Sequence, residues 1–284
     1  MNKAEIKTYK GERFDGEREF YGCRGALLEG CVFEGERDGE SAFKEAENIE
    51  AVDCSFRLRY PFWHNSGSVL VGCELTDTCR APFWYSRRAR MEDCRIFGTK
   101  AVRECKDIVI ERCRVISDEM GWSTEGLTVT DSSVEGFYFA MRAENVRLRG
   151  VDFKGKYSFQ YVNGGSVVAS TLDTKDAFWH AKGVYIKDSV IKGEYLAWYS
   201  EDITFENCVI SGTQPFCYCK GLKLINCELH GCDLAFEKSE VLADITTHVD
   251  SIKNPAVGRI SAPSVGEIIR DDPESLCEIT VRGC

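Results

Sequence analysis

Nowhere in these 284 residues do about 18 apolar side chains run together, the length a helix needs to cross a bilayer. The opening MNKAEIKTYKGERFDGE likewise lacks the unbroken apolar stretch of a secretory leader. Both absences point to a cytoplasmic chain with no membrane partner and with its cysteines reduced. Also missing is any stripe of lysine or arginine: 36 basic side chains face 46 acidic ones, and the formal net charge is −10. Phosphate backbones are bound by clustered positive charge, so nucleic acid is not an expected partner.

Cysteine, by contrast, is abundant. Fifteen is a high and odd number, which in a secreted chain would suggest a disulfide framework. Their spacing reads differently. Aligned on apolar-x-apolar-x-Asx-Cys-x-apolar-x-Gly, the chain yields a column of Cys31, Cys54, Cys73, Cys94, Cys113, Ser132, Val151, Ser170, Ser189, Cys208 and Cys227, and every step from Cys94 onward is 19 residues. Two positions later the residue is always apolar, from Phe33 through Ile96 and Phe153 to Leu229. Apolar residues at alternate positions mark a strand with one buried face.

A second strand lies just upstream, with apolar pairs such as Ile108/Ile110 and Val184/Ile186, and an Asp or Asn often separates the two strands. Such residues suit a tight corner. Glycines such as Gly98, Gly136 and Gly193 follow the second strand, a third strand comes next, and a turn rich in Gly, Asn and Asp closes the unit. Three strands and three turns in 19 residues leave no room for a crossover helix.

The expected fold is therefore all-β: a right-handed, single-stranded parallel β-helix, or solenoid, with three short strands and about 19 residues per coil and roughly 11 to 12 coils. One domain is expected over 1–284, with an N-terminal cap at 1–25, repeat coils at 26–246 and C-terminal capping coils at 247–284 that cover exposed strand edges.

The cysteine column reads as small buried hydrophobes in a narrow interior. A structural zinc site converges four ligands on one point, whereas a column offers a line. Cys217, Cys219 and Cys232 form the best residual cluster, set against the simpler reading of partly exposed thiols. No metal and no cofactor are expected.

The third strand carries the most informative pattern. Its inward position is followed by Lys44, Trp63, Trp84, Arg103, Trp122, Met141, Gln160, Trp179, Trp198, Cys217 and Phe236, a column holding all five tryptophans and expected to face outward. The next column holds Glu45, His64, Tyr85, Glu104, Ser123, Arg142, Tyr161, His180, Tyr199, Tyr218 and Glu237. Aromatic rings edged with polar groups suit a polysaccharide or oligosaccharide. The expected ligand-binding residues are Trp63, His64, Trp84, Tyr85, Trp122, Tyr161, Trp179, His180, Trp198, Tyr199 and Tyr218. Two other placements stay open: a face covered by a terminal segment, a protein partner or a second copy, and a phase shifted by one that puts the indoles in the core.

The repeated N-C-x-I-x-G units, the PFW and AFWH segments at 61–63, 82–84 and 177–180, and the closing NPAVGRISAPSVGEIIRDDPE at 254–274 resemble a bacterial family of unknown function built on the pectate-lyase-like right-handed β-helix. The resemblance spans nearly the whole chain and implies the fold, with no established activity. The wider superfamily contains lyases and hydrolases of acidic polysaccharides, but no Asn-Thr-Asp, Gly-His-Gly or Arg-Ile-Lys segment is present. His64 and His180 fall six coils apart, about 29 Å, too far to share a metal. Asp176, His180, Arg142 and Tyr199 are the residual catalytic candidates, and Asp176 and Glu194 lie on adjacent coils. The expectation is a non-catalytic binding protein, with a carbohydrate-active enzyme and a self-assembly module as the alternatives.

Overall fold

Residues 6–35 and 41–283 are described by a computed structural model. Residues 1–5 of the expected N-terminal cap, 36–40 of the expected coils and 284 of the expected C-terminal cap lie outside the described residues. Strands pair in parallel and no helix occurs among the described residues. Lys106 pairs with Glu125 and Val115 with Val134; further along, Phe153 pairs with Leu172 and Ile210 with Leu229. Each step is 19 residues. The fold is a parallel β-solenoid of about 14 turns. The chain divides into two compact units, Met1–Gly136 and Phe137–Cys284.

In the first unit, one wall contains the strands Arg24–Glu29, Glu47–Val52, Arg87–Glu92 and Lys106–Glu111, and a second contains Val32–Phe33, Ser55–Phe56 and Arg95–Phe97. A third, short wall is a sheet of Phe62–Trp63, Phe83–Trp84 and Val102–Arg103. Two interior ladders of phenyl rings fill the space between walls. Phe20, Phe43, Phe62 and Phe83 stack at 4.8 to 5.0 Å, and Phe33 stacks on Phe56 at 5.1 Å.

The second unit repeats the first two walls with strands such as Asn163–Val168 and Lys182–Lys187, and Thr171–Lys175 and Val190–Lys192. Its third wall is a succession of turns rather than strands, because the inward residues Phe159, Phe178, Ala197 and Phe216 themselves take positive φ. The first-wall ladder also runs through segments read from the sequence as caps: Lys7–Lys10 pairs with Arg24–Glu29, and Val257–Ala262 pairs with Glu278–Val281.

The cysteine column is more than filler. At this corner the chain turns and the strand ladder lapses, so a backbone N–H needs another acceptor. The side chain one coil further on supplies it: the amide of Cys94 donates to Cys113 Sγ at 3.3 Å, that of Cys113 to Ser132 Oγ at 2.9 Å, and that of Val151 to Ser170 Oγ at 3.1 Å. Cys and Ser interchange there because both are small and carry an acceptor atom, while Val151 fills the same position without one.

Candidate functional site

Each coil has three corners whose backbone takes the left-handed conformation, and their compositions differ. At the corner before the first wall the residues are Gly25, Asn48, Gly67, Arg88, Asp107, Gly126, Asn145, Gly164, Gly183, Asp202 and Gly221; all but Arg88 are Gly, Asn or Asp. Between the first and second walls, nine of eleven belong to the same three types, the exceptions being Arg112 and Ala169. At the outer end of the third wall the row runs from Gly22 to Asn254, and the positions between them are Glu45, His64, Tyr85, Glu104, Ser123, Arg142, Tyr161, His180, Tyr199, Tyr218 and Lys238, with φ from 51 to 61°. None of these eleven is Gly, Asn or Asp. Left-handed backbone costs an ordinary L-residue about 1–2 kcal/mol, so this row keeps its side chains against the preference of its own backbone.

In the first unit, Trp63 and Trp84 stack at 6.1 Å, His64 stacks on Tyr85 at 5.0 Å, and Tyr60 lies against both indoles at 6.1 and 5.9 Å. Cations take part in the column: the Lys44 ammonium lies 4.5 Å from the Trp63 ring and the Arg103 guanidinium 5.0 Å from Trp122. The Tyr85 hydroxyl bonds to Glu104, which raises its pKa above the usual tyrosine value. The indole nitrogens of Trp63 and Trp84 are buried and have no hydrogen-bond partner among the described residues.

In the second unit the outer row is an unbroken stack. Tyr161, His180, Tyr199 and Tyr218 follow one another at 4.9, 5.1 and 4.7 Å with planes within 8° of parallel, and the Arg142 guanidinium lies 5.7 Å from Tyr161. Beside it Trp179 and Trp198 stack at 5.4 Å. Their N–H groups point into the protein, donating to the carbonyls of Tyr195 at 2.6 Å and Gln214 at 2.7 Å. Gln160, the equivalent residue one coil earlier, makes the same kind of bond to the Asp176 carbonyl at 3.1 Å.

All five tryptophans are half-buried, neither in the core nor free on the surface. Parallel rings this close must overlap face to face, because rings lying side by side in one plane would clash at such separations. Ring faces are therefore occupied by neighbouring coils, and the edges are what solvent meets. Tyr161 and Tyr199, 47% and 44% exposed, present hydroxyl-bearing edges. The row offers hydrogen bonds at the coil spacing, not open faces for sugar rings to lie on.

Two members expected to point outward do not. Cys217 is buried because its short side chain stays beneath its neighbours, with Sγ near the carbonyls of Gln214 and Leu234. Phe236 is buried because one extra residue enters that coil: Phe236 stacks on inward Phe216 at 5.5 Å, and Lys238 rather than Glu237 takes the left-handed corner. Cys219 and Cys232 are buried as well, so the expectation of partly exposed thiols is corrected; their Sγ atoms lie on different carbonyls, Ala197 and Ile210. Burial pushes the thiols of Cys217 and Cys232 up to about 12 and that of Cys219 to about 11. No group of three or more His, Cys, Asp or Glu able to hold a metal occurs among the described residues.

Of the catalytic candidates, His180 and Tyr199 meet as stacked rings and Arg142 caps the same row. Asp176 stands apart, at the other end of the short wall, in a position that Tyr157 and Tyr195 fill in adjacent coils. It is 7% exposed, and burial raises its pKa, with Lys175 opposing the rise. Glu194 is held by Lys175 at 2.6 Å. Sequence reasoning overlooked Tyr60, which sits on extra residues outside the regular repeat. It also overlooked the missing Gly, Asn and Asp along the outer row, a signal present in the alignment of coils.

Comparison with known proteins adds little beyond the fold. Among solved structures, the A-module of mannuronan C-5 epimerase AlgE4 from Azotobacter vinelandii aligns with a TM-score of 0.35 and 11% identity over 98% of this chain and 90% of its own. The catalytic domain of a GH87 α-1,3-glucanase in complex with tetrasaccharides aligns with a TM-score of 0.36 and 8% identity over 96% of this chain, which spans 63% of that chain. The fluoroquinolone resistance protein QnrB1 scores 0.18 at 14% identity, over 80% of this chain and 90% of its own. No curated protein matches the sequence. A family model does match residues 7–281, and the chain belongs to that family, described as Protein of unknown function (DUF3737).

Proposed function

We propose that this protein is a non-catalytic binder of an extended, hydroxyl-rich polymer such as an oligosaccharide, held along the row Tyr161, His180, Tyr199 and Tyr218. The observation that carries the reading is the outer corner itself. Its left-handed backbone favours Gly, Asn and Asp, and these stand only at the two ends of the row, Gly22 and Asn254, with none at the eleven positions between. Stacking explains part of that choice, since aromatic pairs contribute about 0.5–1.5 kcal/mol each beyond area burial. It does not explain why the edges end in hydroxyl and imidazole groups rather than in phenyl carbons. Polar tips repeating about every 4.8 Å suit a polymer whose own hydrogen-bonding groups recur on a similar length.

The test is calorimetric titration with neutral and acidic oligosaccharides of increasing length, followed by recovery of the sugar. Tyr161→Phe, Tyr199→Phe and Tyr218→Phe keep the stack and remove the hydroxyls. Each is expected to weaken binding roughly 2- to 10-fold, the range of one neutral hydrogen bond, with the sugar returned intact. Affinity unchanged in the triple variant would overturn the reading, as would a panel with no binder. New reducing ends or unsaturated products would establish the enzyme alternative instead.

A further inference from the structure

On the first wall of the second unit, away from the aromatic row, the surface forms a depression of about 540 Å³ floored by the strands Leu222–His230, Glu240–Ile245 and Val257–Ala262. Its origin lies in the ladder. The register shifts between Leu224 and Cys227, and the next coil step is short, with Leu242 paired to Arg259 only 17 residues on.

The depression is chemically two-sided. Leu242 and Ile225 are 53% and 45% exposed, unusual for large apolar side chains on a solvated wall. Lys223 and Arg259 flank Leu242 in register, about 10 Å apart at two strand spacings. Many cations of this acidic chain are paired, Lys187 with Glu206 and Lys182 with Glu201 among them. Lys223 and Arg259 have no ion-pair partner among the described residues. The one carboxylate lining the depression, Asp244, is neutralised by Arg282 at 2.9 Å, and the same guanidinium also donates to the Ile245 carbonyl.

We infer that this depression binds one small amphipathic anion, a carboxylate, sulfonate or phosphate carrying a short apolar part. The anionic head sits between Lys223 and Arg259, with the Ser261 hydroxyl as a further donor at the rim. The apolar part lies on Leu242 and Ile225. A recess of this volume accommodates a single small molecule, which favours a free amphiphile over a membrane surface.

Hexyl phosphate serves as the probe, hexanol as its neutral counterpart and vesicles of anionic phospholipid as the membrane arm. Calorimetry is expected to show hexyl phosphate binding, weakened roughly 2- to 5-fold by Lys223→Gln and by Arg259→Gln, the range of an exposed ion pair. Leu242→Ser weakens it too, hexanol binds less well than hexyl phosphate, and Tyr199→Phe changes nothing. All four residues are exposed, so the variants retain the fold. No binding of hexyl phosphate, equal binding of the neutral analogue, or unchanged affinity in the Lys223→Gln/Arg259→Gln double variant would overturn the inference. Binding to vesicles without binding to hexyl phosphate overturns it in favour of a lipid surface.

Discussion

Trp179 donates its indole N–H to the carbonyl oxygen of Tyr195 at 2.6 Å. Trp63, at the equivalent position in the first unit, has a buried indole nitrogen without a partner among the described residues. Replacing each by phenylalanine separates the two situations. Trp179→Phe removes a hydrogen bond to a part-buried carbonyl and is expected to cost about 0.5 to 1.5 kcal/mol beyond the lost ring area. Trp63→Phe removes a donor that was already unpaired, so its cost is smaller by a comparable amount. Chemical denaturation of both variants checks the difference; equal losses would contradict it.

The corner column makes a second prediction. Cys113 Sγ accepts the amide N–H of Cys94 at 3.3 Å, and Ser132 plays the same role for Cys113. Cys113→Ser retains the acceptor and is expected to change stability by under about 1 kcal/mol, whereas Cys113→Ala leaves a buried N–H unpaired and costs about 1 to 3 kcal/mol. Equal effects of Ser and Ala, read from urea midpoints, would show that volume alone governs the site.

Ser123 tests the outer corner. Its φ is 52°, it is exposed, and no ring among the described residues stacks on it. Ser123→Gly relieves left-handed strain and is expected to stabilise the protein by about 1 kcal/mol. Tyr199→Gly gains the same relief but loses two stacking partners, so its net effect stays within about 1 kcal/mol of zero or turns destabilising. A stabilised Tyr199→Gly variant would mean that the stack contributes nothing to the fold.

Asp176 gives a pH dependence. Burial raises its folded-state pKa above the usual aspartate value, so the native state favours the protonated form. Its contribution is greatest below the unfolded pKa and is lost as the pH rises through the folded value. Asp176→Asn is therefore expected to raise thermal stability at pH 7 and to make no difference near pH 3. The left-handed backbone at φ 55° accommodates asparagine. A variant less stable than wild type at pH 7 would reveal a favourable role for the charge.

The repeat was legible because its causes are local. A 19-residue step, apolar residues at alternate positions and Gly, Asn or Asp at two corners are each written in neighbouring residues, and the pairing of Val115 with Val134 follows from them. The repeat marks the tryptophan column as one position on the third wall but says nothing of how its rings are turned. Whether a ring shows its face or its edge depends on the coil above, which periodicity along one coil does not record. Phe236 was misplaced by the one extra residue in its coil. The first-wall depression was illegible altogether, since it arises from a register shift at Leu224 and a shortened coil rather than from any motif.

The same extra residue fixes where the outer row ends. After Tyr218 the corner passes to Lys238, and before Tyr161 it belongs to Arg142, so four rings stand between two positive charges. On the proposed function such a row acts as a ruler. A guest chain gains contacts unit by unit until it spans the interval from one cation to the other, and affinity then levels off however long the chain becomes.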